Sequence, residues 1–215
     1  MKKIINKYLD FYHKGDNPFY FSLIGPLVMG SIHLIASITH FDWIVVNYCI
    51  FFYLMVLSLT WQWSIEKFNL RINNYLAGII SIIFIIAPMM SSFVLTILYR
   101  DSPHYLYEWL VYAYALYGTI KMVFAIRKLI RKDKTNKEYV VSFLGMISAL
   151  YTLQMMEFRL IMFASDGSDK DAMYIMQLMT QGAIFIFVIF VIILLVMKLI
   201  KNKKNLDLKR WWNDY

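Results

Sequence analysis

The chain has 215 residues, of which 60% are hydrophobic and 18% aromatic, and its mean hydropathy is +0.54. Only 17% of the residues are charged, which is too few for an ordinary soluble domain of this size. The net charge of +8 does not indicate nucleic acid, because the basic residues gather at the ends of apolar segments. The single cysteine, Cys49, excludes an intrachain disulfide.

Six apolar segments are long enough to cross a bilayer as helices, so we predict an all-α, polytopic membrane protein. Residues typical of helix N-termini stand at the beginning of several of these segments. Pro18 and Pro103 occupy first turns, and Thr135 and Glu138 have the spacing of a capping box. The predicted spans are Phe19–Thr39, Asp42–Trp63, Asn74–Leu98, Pro103–Arg127, Glu138–Phe163 and Asp171–Met197.

The distribution of basic residues predicts the orientation of the spans. The two tails and the loops after the second and fourth spans hold 18 of the 22 Lys and Arg residues. The opposite loops hold only Arg100 and Lys170, and these loops are rich in Asp and Glu. By the positive-inside rule, both termini should therefore be cytoplasmic.

The organisation predicted along the chain has three parts. Residues 1–16 should form a cytoplasmic interfacial segment, because apolar residues recur there at helical spacing among lysines. Residues 17–200 should form the six-helix transmembrane bundle. Residues 201–215 combine cations with Trp211 and Trp212, which is typical of a tail on an anionic membrane surface.

The chain also contains a weak internal similarity. Phe41-Asp42-Trp43 recurs two helices later as Tyr107-Glu108-Trp109, and each copy opens an outside-to-inside helix. One interpretation is three parallel helical hairpins related by an axis along the membrane normal. The other is chance similarity, which arises easily between segments built from few apolar residue types. The sequence alone does not decide between the two interpretations.

Polar residues inside the first and fourth spans are the first candidates for a site. His33 lies on a stripe of small residues, which is typical of a helix-packing seam but also allows a proton-titrating histidine in a pocket. Tyr114 and Lys121 share one face of the fourth span. The long stem of Lys121 could reach the cytoplasm, or its ammonium could pair with an anion inside the bundle.

The fifth span is the most interrupted. Gln154 and Glu157 lie on one face, whereas Arg159 points elsewhere and cannot readily pair with Glu157. A buried carboxylate can become neutral by protonation, so Glu157 is the first choice for a switchable residue. Gln177 and Gln181 share a face of the sixth span at a similar depth.

On a common depth scale, most of these residues fall in the outer half of the membrane. Such a layer could line a cavity, or its amides and hydroxyls could simply join helices. The predicted ligand-binding residues are Glu157, Gln154, Gln177, Gln181, His33, Arg159, Tyr114 and Lys121.

Several chemistries are not indicated by the sequence. It contains no HExxH, CxxC, GxSxG or glycine-rich phosphate loop, so no cofactor and no catalytic motif are predicted. His40 with Asp42, and His104 with Asp101, could meet at the outer surface, but this pattern is too common to predict a metal site.

Three functions fit these observations. The first is a small transporter, or a solute- or lipid-binding protein, with an outward-opening polar pocket. The second is a non-catalytic membrane subunit, immunity factor or assembly factor that contacts a partner membrane protein. The third is an intramembrane lipid-modifying enzyme that uses Glu157 and His33 as acid and base. The high Ile, Asn and Lys content is typical of an AT-rich microbial genome, so the expected location is a bacterial plasma membrane.

Overall fold

The computed structural model describes residues 17–39, 41–68, 70, 72–98, 108–130, 135–164 and 170–213, and within these ranges the only regular elements are α-helices. This confirms the predicted all-α class. The predicted interfacial segment, residues 1–16, lies outside the described residues. The helices are α1 (Asn17–Thr39), α2 (Trp43–Lys67), α3 (Asn74–Leu98), α4 (Glu108–Ile130), α5 (Asn136–Ala164) and α6 (Lys170–Asn213).

Local side-chain bonds define where two of the helices begin. The Asp42 side chain accepts a hydrogen bond from the Ile44 amide at 2.8 Å and caps α2. The predicted capping box before α5 is present. The Glu138 amide donates to Thr135 Oγ1 at 3.2 Å, and the Thr135 amide donates to Glu138 Oε2 at 2.9 Å.

Helix α5 is the centre of the bundle. It packs against α2, α3, α4 and α6, while α1 packs against α2 and α6 packs against α3. Because α5 has neighbours on most sides, the polar side chains in its middle are enclosed by protein, and Ser148 and Thr152 are fully buried. This explains how a helix with relatively many polar residues can occupy the interior.

Four helices contain stretches that are long and apolar enough to cross a membrane. The stretches are Ser22–Thr39, Trp43–Lys67, Asn74–Leu95 and Tyr174–Asn202. The outside of the bundle is also strongly apolar, with side chains such as Ile38, Met179 and Ile186 more than two-thirds exposed. A soluble monomer does not present this much apolar surface, so the fold indicates a membrane protein.

Two features of the helix arrangement go beyond the sequence prediction. Helix α6 continues to Asn213, so the first thirteen residues of the predicted tail 201–215 extend the last helix. Among the described residues, the closely packed helix pairs do not include α3 with α4, which would be the middle hairpin of a three-hairpin repeat.

Two neighbouring backbone carbonyls, those of Pro88 and Met89, receive hydrogen bonds from amide side chains of different helices. Asn47 Nδ2 on α2 donates to the Pro88 carbonyl at 2.5 Å, and Gln181 Nε2 on α6 donates to the Met89 carbonyl at 3.0 Å. Both side chains are buried. The two bonds therefore join α2 and α6 to α3 at one depth, which is the packing role that small polar groups play inside membranes.

We expect Asn47→Leu to lower the free energy of unfolding by about 0.6 kcal/mol, the average for interhelical hydrogen bonds in a membrane protein, and by no more than the maximum of about 1.7 kcal/mol. The matched control is Ile50→Leu, which changes a half-exposed apolar residue on the same helix. Reversible unfolding in mixed micelles measures both variants. Equal unfolding midpoints for the two would show that the Asn47 bond adds no stability.

Candidate binding cavity

His33 is fully engaged by hydrogen bonds within the bundle. Its Nδ1 lies 2.8 Å from the Met29 carbonyl of the preceding helical turn, so Nδ1 must carry a proton and donate it. Its Nε2 lies 2.9 Å from the Tyr114 hydroxyl of α4, which can then donate to it. Both nitrogens are satisfied in the neutral ring, and only 1% of His33 is exposed. These contacts favour the packing-seam interpretation of His33.

The predicted residues of the outer half make separate contacts between helices. Glu157 is half-buried, and its Oε2 accepts a hydrogen bond from Thr180 Oγ1 on α6 at 3.0 Å. Gln154, Gln177 and Gln181 are buried. Arg159 lies on α5, but its side chain is outside the described part of the structure.

Glu157 and His33 belong to different seams. His33 contacts α4 from α1, whereas Glu157 contacts α6 from α5. Among the described residues, α1 and α5 are not a closely packed pair. The described contacts therefore do not assemble these two residues as an acid and base around one site.

Lys121 follows neither of the two arrangements considered from the sequence. Its Nζ donates hydrogen bonds to the Tyr117 hydroxyl and to Ser148 Oγ, each at 2.7 Å. The ammonium also lies 5.1 Å from the centroid of the Tyr117 ring, which is within cation–π distance. Within the described residues no carboxylate forms an ion pair with it, and its contacts are two hydroxyls and one aromatic face.

The position of Tyr117 depends on a glycine across the seam. Gly25 of α1 faces the Tyr117 ring so closely that a Cβ at position 25 would overlap it. The absence of a side chain lets the ring lie against the α1 backbone and turns the Tyr117 hydroxyl towards Lys121. Gly25 thus helps to place the hydroxyl that holds the ammonium.

A cavity of about 300 Å³ adjoins Lys121. Its walls come from four helices and are mostly apolar, with small residues at Gly25 and Gly145 making room. The cavity lies towards the end of the bundle where α4 ends and α5 begins. It is lined by Ser22, Gly25, Leu59, Tyr117, Ile120, Lys121, Phe124, Ala125, Lys128, Val141, Ser142 and Gly145.

Of the eight residues predicted as a site, this cavity includes only Lys121. It also includes Lys128 and Tyr117, which the sequence did not single out as ligand-binding residues. Tyr117 precedes Lys121 by four residues, and this spacing places both on one helix face. Gly25 and Gly145 could not be predicted, because they contribute space and not chemical groups.

Comparison of the chain with models of protein families, with curated proteins and with solved structures gives no match.

We expect Tyr114→Phe to lower the free energy of unfolding by about 1 to 3 kcal/mol, because it leaves buried His33 Nε2 without its donor. The matched control is Tyr112→Phe, which removes the same hydroxyl from a residue of α4 that is 71% exposed. Thermal unfolding of both variants in detergent provides the measurement. If both variants melt together with the wild type, the Tyr114–His33 bond does not stabilise the seam.

Proposed function

We propose that this protein is a six-span membrane protein that binds an organic anion in the cavity beside Lys121. The observation that supports this proposal is a partly buried ammonium on the wall of a mostly apolar cavity, with no carboxylate paired to it among the described residues. Taking a cation out of water is costly, and such residues in membrane proteins usually mark a substrate path or a binding site.

The hydrogen-bonding capacity of Lys121 supports an anionic ligand. A protonated lysine has three N–H donors, and the structure uses two of them on Tyr117 and Ser148. The third donor remains for a group inside the cavity. Lys128, two helical turns further along α4, also lines the cavity and adds a second positive charge. An anion would satisfy the third donor and offset both charges.

The proposed topology places this cavity in the cytoplasmic half of a bacterial plasma membrane. All six helices would span it, with α5 enclosed by its neighbours and α4 exposing an apolar face to lipid. The excess of Lys and Arg in the tails and in two loops supports cytoplasmic termini. In this orientation the cavity is reached from the cytoplasmic side, in contrast to the outward-opening pocket expected from Glu157 and the glutamines.

A second candidate function is a non-catalytic membrane subunit. The observation that favours it is the pair of amide bonds to the Pro88 and Met89 carbonyls, because they use the outer polar layer to join helices. This candidate accounts for the outer half of the bundle. A purely structural role does not explain why a cation lies beside a cavity, and we therefore place this candidate second.

The topology is tested with single cysteines in a Cys49→Ala background. A cysteine at Ser168 should react with an impermeant maleimide added to intact cells, whereas one at Asn202 should react only after the cells are lysed. The reason is that the loop before α6 is acidic and the end of α6 is basic. Reaction of both cysteines from the outside would contradict cytoplasmic termini.

Anion binding is tested by thermal unfolding in phosphatidylcholine nanodiscs with inorganic phosphate, dodecanoate or dodecyl phosphate. At least one of these anions should stabilise the wild type, by about 2.7 kcal/mol when its concentration is 100 times the Kd. Lys121→Met should abolish that stabilisation, because the ammonium is its main contact.

The matched control is Lys201→Met, which removes an exposed lysine from the same end of the bundle and should leave the stabilisation unchanged. If no anion in the panel stabilises the wild type, or if Lys121→Met retains the effect, the proposed function is wrong. Gly145→Met fills the cavity but keeps the charge of Lys121. It provides a second test that does not depend on whether the Lys121 variant folds. It should also abolish the effect.

A further inference from the structure

The cavity is closed most weakly between α1 and α4. Helix α1 packs along α2, and α4 packs along α5, but α1 and α4 are not a closely packed pair among the described residues. They meet through two tyrosines of α4, with Tyr114 bonded to His33 and Tyr117 against Gly25. Among the described residues α1 packs with α2, α2 with α5 and α5 with α4, so the side between α1 and α4 is the least closely packed side of the cavity.

Two cavity-lining residues mark where this opening reaches the surface. Ile120 and Phe124 line the cavity and are 46% and 44% exposed, respectively. Both lie within the length of α4 and not at its end, so in the proposed membrane they face acyl chains. An apolar mouth on the side of a bundle admits a lipid chain more readily than a hydrated solute.

The two lysines give another part of the cavity wall the opposite character. Lys121 and Lys128 provide two positive charges, and Tyr117 keeps its hydroxyl beside the first of them. A phosphate monoester carries about −1.5 to −2 charges near neutral pH and three acceptor oxygens, so it can engage both lysines. A carboxylate or a phosphodiester carries only one negative charge.

The size of the cavity limits the number of chains. A volume of about 300 Å³ is roughly ten times the share of one water molecule in the liquid. This is enough for an anionic head group and several methylenes, and the remaining chain would leave through the mouth at Ile120 and Phe124. Two acyl chains could not be enclosed together.

We propose that the cavity takes a single-chain lipid phosphate monoester, which enters sideways from the cytoplasmic leaflet between α1 and α4. This inference rests on the proposed function, because it specifies the anion and its route. The phosphate contacts Lys121 and Lys128, and the chain passes between Ile120 and Phe124 into the bilayer. Ser148 is fully buried and is not part of the cavity wall, so it orients the ammonium and does not attack the ligand.

The experiment compares four probes by thermal unfolding in phosphatidylcholine nanodiscs: dodecyl phosphate, dodecanoate, dodecanol and inorganic phosphate. Dodecyl phosphate should bind at least about tenfold more tightly than each of the other three, since only it supplies both the dianion and the chain. Ile120→Trp, which narrows the mouth, should weaken dodecyl phosphate binding by about tenfold or more. The control Ile186→Trp, on the exposed face of α6, should not.

The outcomes separate this inference from the function on which it rests. If inorganic phosphate binds as tightly as dodecyl phosphate and both depend on Lys121, the lipid inference is wrong and anion binding stands. If dodecanoate binds as tightly as dodecyl phosphate, the assignment of a phosphate head group is wrong. If Ile120→Trp and Ile186→Trp behave alike, the lateral route is wrong. Binding of dodecanol as tightly as dodecyl phosphate, without dependence on Lys121, would overturn both proposals.

Discussion

The constraint on which this structure depends is that a polar group inside an apolar bundle lowers stability unless another group of the protein binds it. No water or lipid head group is at hand in the middle of a membrane, and an unpaired polar group there is costly. The position of α5 follows from this constraint. It carries many of the polar side chains and lies at the centre, where Ser148 and Thr152 are enclosed by neighbouring helices.

The two halves of the bundle meet this constraint in different ways. In the half of the bundle that contains Pro88, Asn47 and Gln181 donate to backbone carbonyls at and beside this proline, and Tyr114 bonds to His33. These are neutral bonds whose main effect is to join helices. In the other half, Lys121 brings a charge and three donors into the interior, and two hydroxyls engage only part of that capacity.

The sequence was sufficient to predict features that depend on a single helix. The bounds Asn74–Leu98 of α3 coincide with the predicted span, and the capping box of Thr135 and Glu138 forms as expected. Both follow from local hydropathy and hydrogen bonding.

The partners of these residues could not be predicted in the same way. Helical spacing shows that Tyr117 and Lys121 share a face, but it does not show that Ser148 of α5 lies opposite. Similarly, the small-residue stripe indicated a seam at His33 without identifying Tyr114 as its donor. The cavity was missed because the sequence reasoning followed polar groups, whereas much of its space comes from Gly25 and Gly145.

The cavity and the cation are best explained together. An apolar bundle gains stability by close packing, so a cavity lowers stability unless something fills it. A lysine at this position also lowers stability, because methionine would fill similar space without the cost of desolvating a charge. A bundle with only a structural role gains nothing from either feature. A bundle that binds an amphiphilic anion needs both, since the chain requires space and the head group requires the ammonium.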